Sequence, residues 1–242
     1  MQGFRQLARQ CCIQYIAPTT YENIQKHDKI DRLFPNLKSI LNISIKSQHY
    51  CTVAIYWAEE GRRVVYITTT PLEKLPAACH DRSNPAPAAF KLMRFMYLED
   101  YKALAKLLVQ LHTFATLPSV LLIDDFDAYI SSYKESEVLQ DVHTARTCSL
   151  ILNTMNSCAQ ILKTNVHVCA WSSSAMQDIS PYTIYFLNIW SITDEKETNT
   201  ILLQKYTQEA PTEQCPTYKY CKLEDGTRVL KEVLYEATRE ES

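Results

Sequence analysis

Short apolar runs alternate along this chain with longer segments of helical period. The runs are rich in β-branched and aromatic residues, which is typical of strands buried on both faces. They lie at residues 39–44, 64–69, 92–97, 119–124 and 166–171. Between them, apolar residues recur every three or four positions at 47–60, 98–114 and 137–162. This alternation of strand and helix predicts an α/β fold with a mostly parallel sheet.

The pattern changes after residue 182, where long helices are no longer predicted. Extended, alternating segments follow at 182–192, 200–207, 217–223 and 227–235. We expect antiparallel strands that extend the parallel sheet. In the run 182–190 (YTIYFLNIW) both alternating faces are largely apolar. That run is either a central strand covered on both faces by this chain or a strand whose second face is covered by a partner.

Three regions are predicted from these patterns. Residues 1–37 form an N-terminal extension, helical at 4–16 and then polar, and residues 38–192 form the α/β core. Residues 193–242 form a β-rich C-terminal extension of the same domain. Within the core, four prolines predict a loop over 71–89, and serines with Asp178 and Pro181 predict another over 172–181.

Composition excludes several classes of protein. The chain has 242 residues, 46% of them hydrophobic, and a net charge of -2, so a wholly disordered chain and a uniformly basic nucleic-acid-binding module are excluded. Residues 1–20 do not resemble a signal peptide, and no apolar run is long enough to span a membrane. The nine cysteines form no C-x-x-C pair, so we expect no metal site and buried thiols in a reducing compartment.

Candidate chemistry lies in two places. Residues 120–125 read VLLIDD, a buried strand that ends on Asp124, as in the Walker B arrangement that holds a magnesium-bound water. Upstream, residues 40–47 read ILNISIKS. Aligned with G-x-x-x-x-G-K-[ST], this segment keeps Lys46 and Ser47 but has Ile40 and Ile45 at the glycine positions. The alternatives are that Ser47 simply begins a helix and that Asp124 simply ends a strand.

The scarcity of glycine bears on both candidates. The chain has 3 glycines, so an intact Gly-rich phosphate loop is excluded. A phosphate loop turns its backbone amides inward, and a β-branched residue resists the backbone angles this requires. Lys46, Ser47 and Asp124 are therefore predicted as a degenerate nucleotide site, with no catalytic residue and no bound cofactor; ATP with magnesium is the alternative.

The order of these segments resembles the RecA-type recombinase paralogues, in particular the small ATPase-like subunit that partners the SWIM-domain zinc protein in the animal Shu complex. The stretches that carry the resemblance are ILNISIKS, WAEEGRRVVYITTTPLEKLP, KLMRFMYLEDYKALAKLLVQLH, PSVLLIDDFDAYI, SLILNTMNSCAQIL and VHVCAW. They cover roughly residues 38–192. Residues 1–37 and the last fifty resemble no known segment.

The resemblance implies a RecA-like core in a nuclear heterodimer with the SWIM-domain protein. Such a complex promotes the assembly or stability of recombinase filaments on single-stranded DNA during homologous recombination. By position, Lys46 and Ser47 match the Walker A Lys-Thr pair, and Asp124 matches the Walker B Asp. The water-orienting Glu of RecA-type ATPases would fall at 69–71, which read Thr-Thr-Pro, and no F-x-x-A docking motif is present.

These departures predict a RecA-like scaffold without hydrolysis. Two other functions stay open, namely a working DNA-stimulated ATPase of the same complex and a RecA-like adaptor unrelated to DNA repair. The segment 172–182 has no Lys or Arg, so we expect DNA affinity to require the partner. The candidates for DNA contact are Arg62 and Arg63, with Trp57 nearby, and the basic region 1–46. The alternative for the two arginines is a solvated turn.

Overall fold

The computed structural model describes residues 37–44, 50–71, 86–130, 137–172, 180–186, 188–195, 197–206, 216–224 and 228–235. The strands are β1 Leu37–Ser44, β2 Val64–Thr68, β3 Met93–Tyr97, β4 Val120–Ile123, β5 Val166–Ser172, β6 Asn188–Glu195, β7 Thr200–Lys205, β8 Thr217–Lys222 and β9 Arg228–Leu234. The helices are α1 Tyr50–Glu59, α2 Pro87–Phe90, α3 Tyr101–Leu111, α4 Phe126–Ile130, α5 Glu137–Leu162 and α6 Ser180–Thr183. One or two helices separate successive strands as far as β6, and the predicted helices α1, α3 and α5 are among them.

All these strands belong to one sheet, in the order β3-β2-β4-β5-β1-β6-β7-β8-β9. Every pairing from β3 across to β6 is parallel. The pairings of β6 with β7, β7 with β8 and β8 with β9 are antiparallel. The prediction of a mostly parallel α/β sheet extended by antiparallel C-terminal strands is confirmed. The boundary drawn at 192/193 falls inside β6, so the core and the extension share a strand.

Helices cover both faces of the parallel part of the sheet. Odd-numbered residues of β2 and β4, such as Val65 and Leu121, face the layer of α3, α4 and α5. Even-numbered residues, such as Tyr66 and Leu122, face the layer of α1. Burial on both faces explains why these strands appear as continuous apolar runs. The predicted burial of thiols is confirmed for Cys148, Cys158 and Cys169.

The proline-rich segment 71–89 was predicted as a loop, and the prediction is wrong at its end. Pro87 begins the short helix α2, after Ala86 in extended conformation. Proline has no N–H group, and the first turn of a helix does not require one, so Pro87 starts a helix rather than preventing it. Residues 72–85 lie outside the described part of the chain.

The segment 182–190 was predicted to be extended throughout, and that is wrong for its first half. Tyr182 lies in α6, and the amides of Tyr185 and Phe186 both donate to its carbonyl in a tight turn. The rings of Tyr182 and Phe186 both pack edge-on against Phe126, with centroids 6.3 and 6.1 Å away. This packing explains the turn, because it buries two aromatic rings on one side while Ile184 is left 62% exposed.

The second half of that segment is a central strand. Ile189 and Trp190 of β6 are both buried, in the opposite layers of the molecule. Of the two alternatives for this strand, the structure has the one in which this chain covers both faces. Predictions for residues 4–16, for most of 17–38 and for most of 172–181 lie outside the described residues. In the described part of the chain, no helix has the length and apolarity needed to cross a membrane.

Candidate functional site at the carboxyl-end edge of the sheet

Strands β2, β4 and β5 are parallel and end at one edge of the sheet, where open α/β sheets bind their ligands. Thr69 follows β2, Asp124 and Asp125 follow β4, and Ser172 ends β5. Asp124 continues the pairing of β4 with β2, since its amide donates to the carbonyl of Ile67 at 2.8 Å. The predicted Walker B position is therefore at the edge where a Walker B residue would lie.

The carboxylate of Asp124 accepts two hydrogen bonds from within the protein. The hydroxyl of Tyr66 donates to its Oδ2 at 2.9 Å, and the backbone amide of Asp125 donates to its Oδ1 at 2.9 Å. The side chain is only 5% exposed. Both oxygens thus have internal donors, which is the arrangement of a structural carboxylate.

Burial dominates the electrostatics of Asp124. Desolvation raises its pKa to about 6, against hydrogen bonds from Tyr66 and Asp125 that lower the pKa; the charge of Asp125 adds a smaller upward shift. Burial is also the main cause of the raised pKa of Tyr129, and the charges of Asp125 and Asp124 raise it further. The Tyr129 hydroxyl donates to the carbonyl of Leu98 at 2.9 Å.

Asp125 turns the chain out of β4. Its φ is 51°, in the left-handed region that Asp adopts more readily than most residues. Thr69 Oγ1 lies 3.4 Å from Asp125 Oδ2 and donates to it. At position 69 a threonine hydroxyl thus contacts the second carboxylate, where the resemblance would place an acid.

Ser172 and Asp127 link β5 to α4. The Ser172 hydroxyl lies 2.7 Å from Oδ1 and 2.6 Å from Oδ2 of Asp127, and donates to that carboxylate. Ser172 is fully buried, so this charge-assisted bond fixes α4 against the end of β5.

The predicted phosphate segment lies partly in a strand. Residues 40–44, the first five positions of ILNISIKS, belong to β1. Residues 40–43 are paired on both sides, for example Ile40 with Cys169 and Asn188, and Ser44 is paired with β6. Backbone amides used in two ladders are not available to surround a phosphate. Lys46, Ser47 and Ile45 lie outside the described residues.

Sequence reasoning missed four residues of this edge, namely Tyr66, Thr69, Ser172 and Asp127. One signal for Tyr66 was present, because a tyrosine in a buried strand requires a hydrogen-bond partner for its hydroxyl. Tyr66 and Asp124 project to the same face of neighbouring strands, since Tyr66 pairs with Leu122, two residues before Asp124. The contact of Ser172 with Asp127 had no signal, because it depends on the position of a helix.

This edge, as far as the structure describes it, does not fit a magnesium nucleotide. Both oxygens of Asp124 accept hydrogen bonds from within the protein. Residues 40–44 form part of β1, where a phosphate-binding loop would be needed. Among the described residues, no group of three or more His, Cys, Asp or Glu side chains could hold a metal ion.

Trp57, a candidate for stacking on DNA bases, is in the interior. Its side chain is 4% exposed and lies over the ring of His167, with centroids 4.4 Å apart. Arg62 Nη1 contacts the carbonyl of Asn165 at 3.4 Å, and Arg63 is exposed. The two arginines are therefore available to solvent without the aromatic ring that base stacking requires.

Comparisons with known proteins show the fold. No protein-family model matches the chain, and no curated protein matches it in sequence. Among solved structures, it is similar to the RadB recombinase, with a TM-score of 0.53 and 12% identity over 78% of this chain and 89% of that one. It is also similar to a solved ATPase domain, with a TM-score of 0.51 and 10% identity over 85% of this chain and 89% of that one. The fold is RecA-like, as the resemblance implied.

Proposed function

We propose that this chain is a non-catalytic RecA-like subunit of a Shu-type complex, which promotes recombinase filament assembly or stability in homologous recombination. The proposal combines the RecA-like fold with the ordered motifs of the sequence. Its proposed partners are a SWIM-domain zinc protein, as a heterodimer in the nucleus, and a recombinase filament. Single-stranded DNA is contacted through the complex.

The observation that carries the non-catalytic part is the extent of β1. A phosphate loop follows its strand and turns back around the ligand, whereas residues 40–44 here continue as strand between β5 and β6. The amides that would bind phosphate oxygens instead pair with neighbouring strands. Hydrolysis is therefore not supported by the backbone geometry.

The carboxyl end of β4, at the same edge of the sheet, supports the same conclusion. Asp124 has the position of a Walker B residue, but its oxygens accept from Tyr66 and from the Asp125 amide. Residues 69–71 contain no acid to orient water. Internal hydrogen bonds thus occupy both oxygens of the carboxylate with which a Walker B residue would hold its ligand.

The experiment uses the full chain co-expressed with the SWIM-domain protein. Size-exclusion chromatography measures the complex, phosphate release measures hydrolysis, and a recombinase filament assay on single-stranded DNA measures function. We expect a stable complex that stabilises filaments, and no ATP-dependent phosphate release above a buffer control. Lys46→Ala should leave complex formation and filament stabilisation unchanged, as should the matched variant Lys205→Ala.

Two results would contradict the proposal in different ways. Phosphate release that Lys46→Ala abolishes and Lys205→Ala does not would establish the active ATPase instead. If the chain does not bind the SWIM-domain protein and does not change filament stability, the alternative of a RecA-like adaptor outside DNA repair is favoured.

A further inference from the structure

Exposed cations collect at the amino-end edge of the sheet, opposite the edge described above. They come from the segments that enter three strands: Arg62 and Arg63 before β2, Lys91 and Arg94 at the start of β3, and Lys163 before β5. Arg62 is half-buried and the other four are exposed. In these described segments the only acids are Glu59 and Glu60 at the end of α1, so positive charge is in excess.

Hydrogen bonds hold these segments side by side. The amide of Val64 donates to the carbonyl of Leu92, and the amide of Ser119 donates to the carbonyl of Arg63. Arg62 Nη1 contacts the carbonyl of Asn165 on the far side. The cations therefore follow the strand order β3-β2-β4-β5. Three strand spacings make a row about 14 Å long.

The described segments at the two strand-end edges carry opposite charge. Within the described residues, the carboxyl-end segments contain Glu99, Asp100, Asp124, Asp125 and Asp127. A polyanion approaching the described surface is therefore attracted to the amino-end edge and repelled by the carboxyl-end edge.

We propose that the amino-end edge binds the phosphate backbone of single-stranded DNA. The inference rests on the proposed function, for which it supplies a DNA site. A row of about 14 Å is long enough to contact consecutive phosphates of one strand. Arg94 lies over the ring of Phe114, 5.2 Å from its centroid, so this ring orients a cation instead of stacking a base. Binding through phosphates alone is independent of sequence.

Helix termini offer a competing explanation for part of the row. Lys163 follows α5 and Arg62 follows α1, and a cation at a helix C-terminus stabilises the helix. Arg94 lies within a strand, where that explanation does not apply. A purely structural role predicts that charge reversal lowers stability, whereas a DNA site predicts lower DNA affinity at unchanged stability.

The experiment compares two double variants of the chain in its co-expressed complex. Arg63→Glu with Lys91→Glu reverses two cations of the row, and Lys222→Glu with Lys231→Glu reverses two exposed cations of the antiparallel strands. Fluorescence anisotropy with a labelled oligothymidylate measures affinity over a range of salt concentrations. Thermal unfolding and size-exclusion chromatography report stability and partner retention.

We expect the first variant to lose about tenfold or more in affinity at low salt, with the logarithmic salt slope reduced by about 1.4 for two lost phosphate contacts. The second variant should bind within about twofold of the unchanged complex. Equal losses in both variants, no loss in the first, or no DNA binding by the unchanged complex would overturn the inference. A complex that stays intact and still stabilises filaments in those cases leaves the proposed function standing.

Discussion

The two ends of the parallel strands use charge in opposite ways. At the carboxyl end, Asp124 is buried and bonded to Tyr66 and to the Asp125 amide. At the amino end, Arg63, Lys91 and Lys163 are exposed on adjoining turns. The charge at the first edge is buried within the protein, and the charges at the second are exposed to solvent.

This difference between the two edges indicates where to look for function in a RecA-like fold whose residues 40–47 contain no glycine. At the carboxyl-end edge the charge of Asp124 is buried, so we expect substitutions there to change mainly the stability of the fold. The charges of Arg63, Lys91 and Lys163 at the other edge are exposed, and substituting exposed charges usually changes stability little, so we expect these charges to affect binding more than folding. Substitutions at each edge should therefore change different measured quantities.

The largest effect is expected for Asp124→Asn, which should stabilise the chain by about 2–3 kcal/mol at neutral pH. Burial raises the pKa of Asp124 to about 6, so the folded state binds more protons than the unfolded state between about pH 4 and pH 6. The contribution of Asp124 to stability is therefore highest below about pH 4 and falls as the pH rises through about 6. Asparagine keeps both hydrogen bonds, because its amide can donate to the Tyr66 hydroxyl.

Urea unfolding of the full chain across this pH range measures the effect. The gain should shrink towards zero below about pH 4, where the aspartate is protonated in both states. A substitution that destabilises at neutral pH would show instead that Asp124 must be charged.

A smaller effect, of opposite sign, is expected for Tyr66→Phe. Removing the hydroxyl leaves Asp124 Oδ2 without this donor and should cost about 2 kcal/mol at neutral pH. It should also raise the pKa of Asp124 further above its usual value, because the Tyr66 hydrogen bond lowers it.

Tyr129→Phe is the matched control, since that hydroxyl donates to the neutral carbonyl of Leu98. Its cost should be about 1 kcal/mol and should not change between about pH 4 and pH 7. Equal and pH-independent costs for both variants in urea unfolding would contradict the charge-based account of Asp124.

The smallest effect on stability is expected at the amino end. Arg63→Ala should change the free energy of unfolding by no more than about 0.5 kcal/mol, because the side chain is exposed. The same urea titration checks it. A loss above about 1 kcal/mol would mean that this edge contributes to folding like the other, and the contrast between the edges would fail.

Much of the fold could be predicted from local pattern alone. The continuous apolar runs of β2 and β4 indicated strands buried on both faces, and the period of α5 indicated its full length. Local pattern failed where distant packing decides the conformation. Tyr182 and Phe186 alternate as in a strand, yet Phe126 holds both in a turn.

The candidate site was predictable only in its position. The apolar run before Asp124 indicated a strand end, and the isoleucines at positions 40 and 45 indicated the loss of a cradle. The partner of Asp124 was not predicted, because the Tyr66 contact depends on the register of β2 against β4. The pattern of each strand indicates which residues share a face, but which residue of β2 lies opposite which residue of β4 depends on both strands together.

The place of β1 in the sheet has a consequence for how the chain is made. The ribosome releases β1 first among the described strands, yet both of its neighbours, β5 and β6, are near the far end of the core. Leu37 cannot pair with β5 until Val166 has been synthesised. Contacts this distant in sequence close slowly and leave apolar strands exposed meanwhile. Newly made chains should therefore depend on chaperones until synthesis has passed β6, and a truncation that removes β6 should accumulate as aggregate.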